Sequence, residues 1–298
     1  MFKFLLYQFG LFVIRLIPLE TSFKLARFFS GLQYYFSPRD RKAVHDNIKV
    51  ILKSSNNLET LTKEVFQNFG QYLVEFFRMP EMMNDDYIRE HIKIDHIERL
   101  EQVLAKGKGA IIITAHIGNW ELGSILLGMM GYRLVAVALP HKERPVNDLF
   151  NNQRAIRGVT VVPSHYAVRR CLETLHKNGI IALVADRDFG LTGEVLDFFG
   201  RKTLIPKGPA IFSYKTGAPV VPMFLIREGE RQFRLMVADP IYPEKVFKGE
   251  IDQDLLKNFM KKYIGIIEDK ILKYPSQWLM FRKFWIDDLS KIKGNLKT

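Results

Sequence analysis

Cysteine is nearly absent from this chain of 298 residues. The single one, Cys171, excludes an internal disulfide and any zinc site built from several thiolates. Nothing therefore points to an oxidising compartment, and a cytoplasmic body is expected. A long uncharged apolar run is missing too. The most hydrophobic stretch, MFKFLLYQFGLFVIRLIPL at 1–19, is uncharged only between Lys3 and Arg15, short of the ~20 residues that a spanning helix needs. There is no G-x-S-x-G elbow, no H-E-x-x-H, no G-x-x-x-x-G-K-[ST] and no complete dinucleotide fingerprint around the glycines of 106–109. His45, His91, His96, His141, His165 and His176 show no metal-ligand spacing. Neither a repeat nor a Gly/Ser linker marks a second independent domain.

The chain does carry a strong positive balance and enough apolar residues for a full core. Lys and Arg outnumber Asp and Glu by 44 to 32, a formal charge of +12, and 47% of residues are hydrophobic. Such a field attracts nucleic acid, anionic lipid headgroups or an acidic carrier protein. The N-terminus favours lipid: residues 1–19 and the Phe- and Leu-rich 21–36 read as an uncleaved anchor lying on or dipping into a membrane. Two amphipathic core helices of a soluble protein are the plain alternative. A helical lead-in follows, with Val65, Phe69, Leu73 and Phe76 on one stripe.

From residue 92 the pattern alternates. Short apolar runs at 110–115, 134–138, 159–162, 180–185 and 220–225 read as strands, with helices at 122–130, 148–157, 168–178 and 208–215 between them. An edge strand at 232–236 and a closing helix at 252–273 complete the reading. The predicted class is α/β, a largely parallel central sheet flanked by helices behind an N-terminal membrane-associated helical segment. The expected organisation is an anchoring segment at 1–36, a helical lead-in at 37–91 and a catalytic domain at 92–298.

The segment AIIITAHIGNWELG at 110–123 carries the chemistry. Its apolar strand delivers His116 to a C-terminal strand end, where open α/β sheets place their ligands. Asn119 suits a helix N-cap, which puts Glu121 in the first helical turn, within reach of the imidazole across Ile117 and Gly118. A carboxylate on one ring nitrogen fixes the tautomer and makes the other a better base, able to take a proton from a hydroxyl. A polar pair at a helix cap is the plain alternative. Asp186 stands at the end of another predicted strand, either orienting basic residues or the acceptor, or capping a loop.

His116 and Glu121 hold the H-x-x-x-x-[D/E] spacing of the glycerolipid acyltransferase superfamily, and HIGNWELG resembles the bacterial lipid A late acyltransferases, which add lauroyl or myristoyl chains. The resemblance continues through RPVNDLFNNQRAIRG at 144–158, ADRDFGLTGEVLDFFG at 185–200 and KGPAIFSYKTGAPVVP at 207–222, and upstream through SPRDRKAVHDNI at 37–48. Where that family more often shows Asp-Gln-Asp, this chain has Asp186-Arg187-Asp188, which leaves the middle residue without a matching role. The resemblance implies an acyl thioester donor on acyl carrier protein or coenzyme A, a glycolipid hydroxyl as acceptor, most naturally a lipid A precursor, and no metal or redox cofactor. His116 and Glu121 would be catalytic, with Asn119, Arg144, Arg157 and Asp186 binding substrate or oxyanion. The inner membrane, with the catalytic body on its cytoplasmic side, is the implied place, and its anionic leaflet rather than nucleic acid the implied surface. A lysophospholipid or a mannosylated phosphoinositide as acceptor, and a non-catalytic membrane protein, are the competing readings.

Overall fold

The structure is a computed structural model that describes residues 2–54, 56–139, 143–155, 159–163, 166–188 and 192–286, with the side chains of 2–7 left aside. It opens with five helices: α1 (Phe2–Leu16), α2 (Leu19–Phe36), α3 (Pro38–Leu52), α4 (Leu58–Met82) and α5 (Asp85–His91). Pro18 separates the first two and Pro38 opens the third, both places where a missing N–H costs a helix nothing. α4 is the central post of this layer. Its buried face holds Val65, Phe66, Tyr72 and Phe76 among others, and it packs on α2, α3, α7 and α8.

The chain then alternates as predicted: β1 (Ile92–Asp95), α6 (Glu98–Leu104), β2 (Ala110–Thr114), α7 (Trp120–Met129), β3 (Leu134–Ala138), α8 (Arg144–Ala155), β4 (Thr160–Pro163), α9 (Ala167–His176) and β5 (Ile180–Val184). A hairpin follows, β6 (Glu194–Phe198) with β7 (Arg201–Ile205), then α10 (Gly208–Thr216), β8 (Val220–Gly229), β9 (Gln232–Val237) and α11 (Gln253–Lys273). Seven strands form one sheet in the order β1-β9-β8-β2-β5-β3-β4, every pair parallel except β8 with β9. The expected edge strand at 232–236 is interior, because β1 adds outside it. The β6–β7 hairpin is an addition to the expected elements.

β2 lies in the middle of the sheet and is buried on both faces, which explains its unbroken apolar run. Alternate residues feed different layers. Ile111 and Ile113 pack with α9, α10 and α11 through Cys171, Phe212 and Ile264. Ala110 and Ile112 pack with α4, α7 and α8 through Phe76, Leu122 and Phe150. The helices thus cover both faces and leave the C-terminal ends of the parallel strands as the place where loops converge.

Candidate active site

Parallel pairing aligns Thr114 of β2 with Val184 of β5, and the Ala185 N–H donates to the Thr114 carbonyl at 2.8 Å. Continuing both chains brings His116 beside Asp186. Imidazole Nδ1 meets Asp186 Oδ1 at 2.7 Å, while Oδ2 accepts from the His116 backbone N–H at 3.0 Å and from Trp278 Nε1–H at 2.8 Å. Asp186 is fully buried. Burial alone would raise its pKa, but the imidazole, the indole and the backbone N–H together outweigh it and hold the carboxyl below its ordinary range. An ionised carboxylate on Nδ1 selects the Nδ1–H tautomer, so Nε2 carries the lone pair. The His116 side chain keeps 20% of its surface exposed, against none for Asp186. The pair therefore joins a buried carboxylate to a partly exposed imidazole.

The turn after His116 is fastened from two sides. The Gly118 N–H donates to the Gln277 carbonyl at 3.1 Å, the Asn119 N–H to the Leu225 carbonyl at 2.9 Å, and the Leu279 N–H to the His116 carbonyl at 2.7 Å. Gly118 has φ +61°, and a Cβ there would sit 2.1 Å from the Leu225 carbonyl oxygen. Only glycine fits. Asn119 caps α7 as expected, its Oδ1 accepting from Leu122 N–H at 3.0 Å, and its amide donates to Glu75 at 2.6 Å. Since Asn119 is completely buried, the structure gives it capping and tethering partners within the protein. Glu75 in turn pairs with Arg227. Trp120 presents its ring edge-on to the imidazole at 5.1 Å and stacks on Tyr72 at 4.7 Å, which confines the imidazole plane.

The expected His116–Glu121 hydrogen bond is corrected. Glu121 does sit in the first turn of α7, but its carboxylate binds Arg154 of α8, from Nε at 2.8 Å and Nη2 at 2.5 Å. Both side chains are about nine-tenths buried. Burial works against the Arg154 charge, yet Glu121 more than offsets it and raises the guanidinium's proton affinity. Phe76 and Phe150 lie beneath that guanidinium at 5.8 and 5.9 Å. The reason is directional: the Gly118 turn, pinned to β8, starts α7 with Glu121 facing α8, while the neighbouring strand supplies Asp186 to the imidazole.

Arg144 begins α8 almost fully exposed, 3.9 Å from Asp148. Arg157 lies outside the described residues. Asp188 accepts the Gly193 N–H at 2.7 Å, and the half-buried Arg187 reaches Met280 Sδ at 3.8 Å. Cys171 is buried in the core, and burial pushes its thiol up to about 11, away from nucleophilic use. Phe198 is also core, packed with Trp278, Phe284 and Trp285. Sequence reasoning misses Trp278: it lies 92 residues from Asp186 in a loop after the closing helix, and no local pattern announces an indole that donates there. Among the described residues, no group of three or more His, Cys, Asp or Glu is placed to hold a metal ion.

Comparison with known proteins adds to this geometry. The family model described as bacterial lipid A biosynthesis acyltransferase matches residues 1–286. A phosphatidylinositol mannoside acyltransferase of Mycobacterium tuberculosis is 27% identical over 96% of this chain and 89% of its own. A lipid A biosynthesis acyltransferase of Haemophilus influenzae is 26% identical over 43% of this chain and 41% of its own. The crystal structure of the 1-acyl-sn-glycerophosphate acyltransferase PlsC from Thermotoga maritima aligns over 86% of this chain and 99% of that one, with TM-score 0.39 and 15% identity, too distant to bear on function.

Proposed function

Because the chain belongs to the bacterial lipid A biosynthesis acyltransferase family, we propose that this acyltransferase carries a fatty acyl chain from an acyl thioester to a hydroxyl of a membrane glycolipid, with His116 as the general base. The observation that carries the reading is the buried Asp186 on Nδ1 of a partly exposed imidazole. In the step, Nε2 takes the acceptor hydroxyl's proton as its oxygen attacks the thioester carbonyl. The tetrahedral oxyanion collapses, the carbon–sulfur bond breaks, and the leaving thiolate takes the proton from the imidazolium, giving an ester and a free thiol. Asp186 offsets the positive charge on the imidazole while the proton rests there.

Arg144 and Arg157 are the candidates for holding the oxyanion or a substrate phosphate; a fixed guanidinium aimed at the oxyanion contributes about 3 kcal/mol. The Glu121–Arg154 pair is assigned to positioning, since it locks the helix that follows His116 onto α8. The donor is an acyl group on acyl carrier protein or coenzyme A. The acceptor is read as a lipid A precursor from the HIGNWELG segment. A mannosylated phosphoinositide is the second reading, favoured by the similarity to the mycobacterial relative extending along 96% of the chain, against 43% for the Haemophilus one.

Such acceptors live in membranes. Among the described residues no helix is long and apolar enough to cross one, but α1 exposes Phe9, Phe12 and Leu16, and α2 exposes Phe28, Phe29 and Phe36. Clustered exposed aromatics beside basic residues fit a helix pair lying in the interface of the inner membrane on its cytoplasmic side. The testing experiment incubates wild type and His116→Ala with acyl-carrier-protein and acyl-coenzyme-A donors, a lipid A precursor and a mannosylated phosphoinositide, and reads lipid masses. A gain of one acyl chain with wild type alone is expected, and its host names the acceptor. Equal gain with the variant would remove His116 from the chemistry.

A further inference from the structure

A cavity of about 730 Å³ lies between α2, α4 and the turn joining β8 to β9. Lys24 and Arg27 enter it from α2, Lys63 and Gln67 from α4, and Arg227 and Gln277 from the opposite wall. Lys24 and Arg27 are exposed and form no ion pair among the described residues. Arg227 is about nine-tenths buried; it pairs with Glu75, yet its Nε–H is buried with no hydrogen-bond partner. Burial and, secondarily, the charge of Arg27 lower the proton affinity of Arg227. Two guanidinium groups thus bear on one another across a half-enclosed space, an arrangement that a multivalent oxyanion relieves.

The cavity is not purely cationic. Glu64, Glu228 and Glu230 also line it. Glu228 is held by Arg234 at 2.6 Å, which leaves Glu64 and Glu230 as acceptors for a hydroxyl or ammonium donor. A bare phosphate ion would satisfy only the basic half. Phe28 and Phe29 are exposed on the same helix as Lys24 and Arg27, so a polar headgroup in the cavity would have apolar surface beside it for its chains. Arg231 bonds Glu20 at 3.0 Å and ties the strand turn to α2, fixing the width of the opening.

We propose that this cavity binds the phosphodiester headgroup of a membrane lipid, at a site distinct from the His116–Asp186 pair. The two sites share a wall. Gln277 exchanges side-chain hydrogen bonds with the Arg227 backbone at 3.0 and 2.8 Å, and its carbonyl holds Gly118, while the next residue, Trp278, holds Asp186. A headgroup seated against Gln277 would brace the strap that fastens His116. The proposal uses the membrane reading above for the lipid's presentation and does not depend on acyl transfer.

The test compares wild type, Arg27→Gln and Lys261→Gln, the last an exposed lysine of α11 that carries the same charge change elsewhere. Calorimetry with soluble sn-glycero-3-phosphoglycerol and with inorganic phosphate is set beside binding to phosphatidylcholine vesicles with and without phosphatidylglycerol. Arg27→Gln is expected to weaken the glycerophosphodiester and the phosphatidylglycerol vesicles about tenfold, and Lys261→Gln less than about twofold, as screened long-range charge. An Arg27 dependence seen only with vesicles also supports the lipid source. Equal losses in the two variants would overturn the site, and inorganic phosphate binding as tightly as the phosphodiester would overturn the headgroup. Wild type ignoring every vesicle while binding the soluble phosphodiester through Arg27 would sink the membrane reading and leave the cavity assignment standing.

Discussion

Asp186→Asn separates the two carboxylates that compete for the role of imidazole partner. In the native site Oδ2 accepts two N–H donors, from His116 and Trp278, while Oδ1 faces imidazole Nδ1. Asparagine is nearly isosteric, so its carbonyl oxygen takes the Oδ2 position, where two buried donors require an acceptor. Its amide NH2 then faces Nδ1, which must become the acceptor, and the proton moves to Nε2. The base is switched off by tautomer rather than by displacement. General-base catalysis contributes typically 10²–10⁴-fold, and the corresponding substitution in a serine protease triad costs about 10⁴-fold. We expect kcat to fall about 10³-fold, roughly 4 kcal/mol. The two N–H donors keep their acceptor and the third hydrogen bond persists reversed and without charge, so stability should drop by no more than about 1.5–3 kcal/mol, the worth of one charge-assisted bond. The assay is release of free thiol from the acyl thioester in mixed micelles with the acceptor found by mass spectrometry. Glu121→Gln, measured beside it, keeps the tautomer and should cost about tenfold or less through looser positioning. If Asp186→Asn kept most of its activity while Glu121→Gln lost 10³-fold, the assignment of Asp186 would be wrong.

Three further experiments test the site's supports and the membrane contact. Arg154→Met leaves Glu121 as a buried carboxylate without its partner and should destabilise by about 3–5 kcal/mol in denaturant unfolding; adding Glu121→Gln should recover a good part of that loss, and no recovery would mean the pair is not coupled. Gly118→Ala must relieve a 2.1 Å approach to the Leu225 carbonyl at a positive φ, so a loss of more than about 2 kcal/mol and a lowered kcat are expected; a stable, active variant would contradict a turn that only glycine can make. Phe28→Ser with Phe29→Ser removes two exposed aromatics from α2 and, at ~1.5–3 kcal/mol per inserted ring, should cut binding to neutral vesicles about 100-fold or more. Unchanged flotation would place the membrane contact elsewhere.

Much of the scaffold is legible because its signals are local. The buried run Ile111–Ile112–Ile113 marks a central strand, and the N-cap at Asn119 marks the helix behind it. The hairpin of β6 and β7 turns on a local feature as well: Phe199 and Gly200 both take positive φ, the two-residue turn that joins tightly paired strands. Only the glycine of that pair advertises the turn in the sequence, and a phenylalanine at positive φ does not. β1 is only four residues long and is defined by its pairing to β9, so nothing in Ile92-Lys93-Ile94-Asp95 by itself separates it from a loop.

The chemistry divides along the same line. The sequence alone determined that His116 ends a buried strand, that glycine and asparagine turn the chain into a helix after it, and that Asp186 ends a second strand; each follows from apolar runs, caps and turn residues within a few positions. Which carboxylate serves the imidazole was decided only by the tertiary structure. Strand order makes β5 the neighbour of β2, and a residue 70 positions away in the chain then lies nearer the ring than the helical carboxylate five positions on. Hydrogen-bonded pairing between distant strands, and the packing that turns Glu121 towards Arg154, are properties of the assembled sheet and its layers, and no local spacing encodes them.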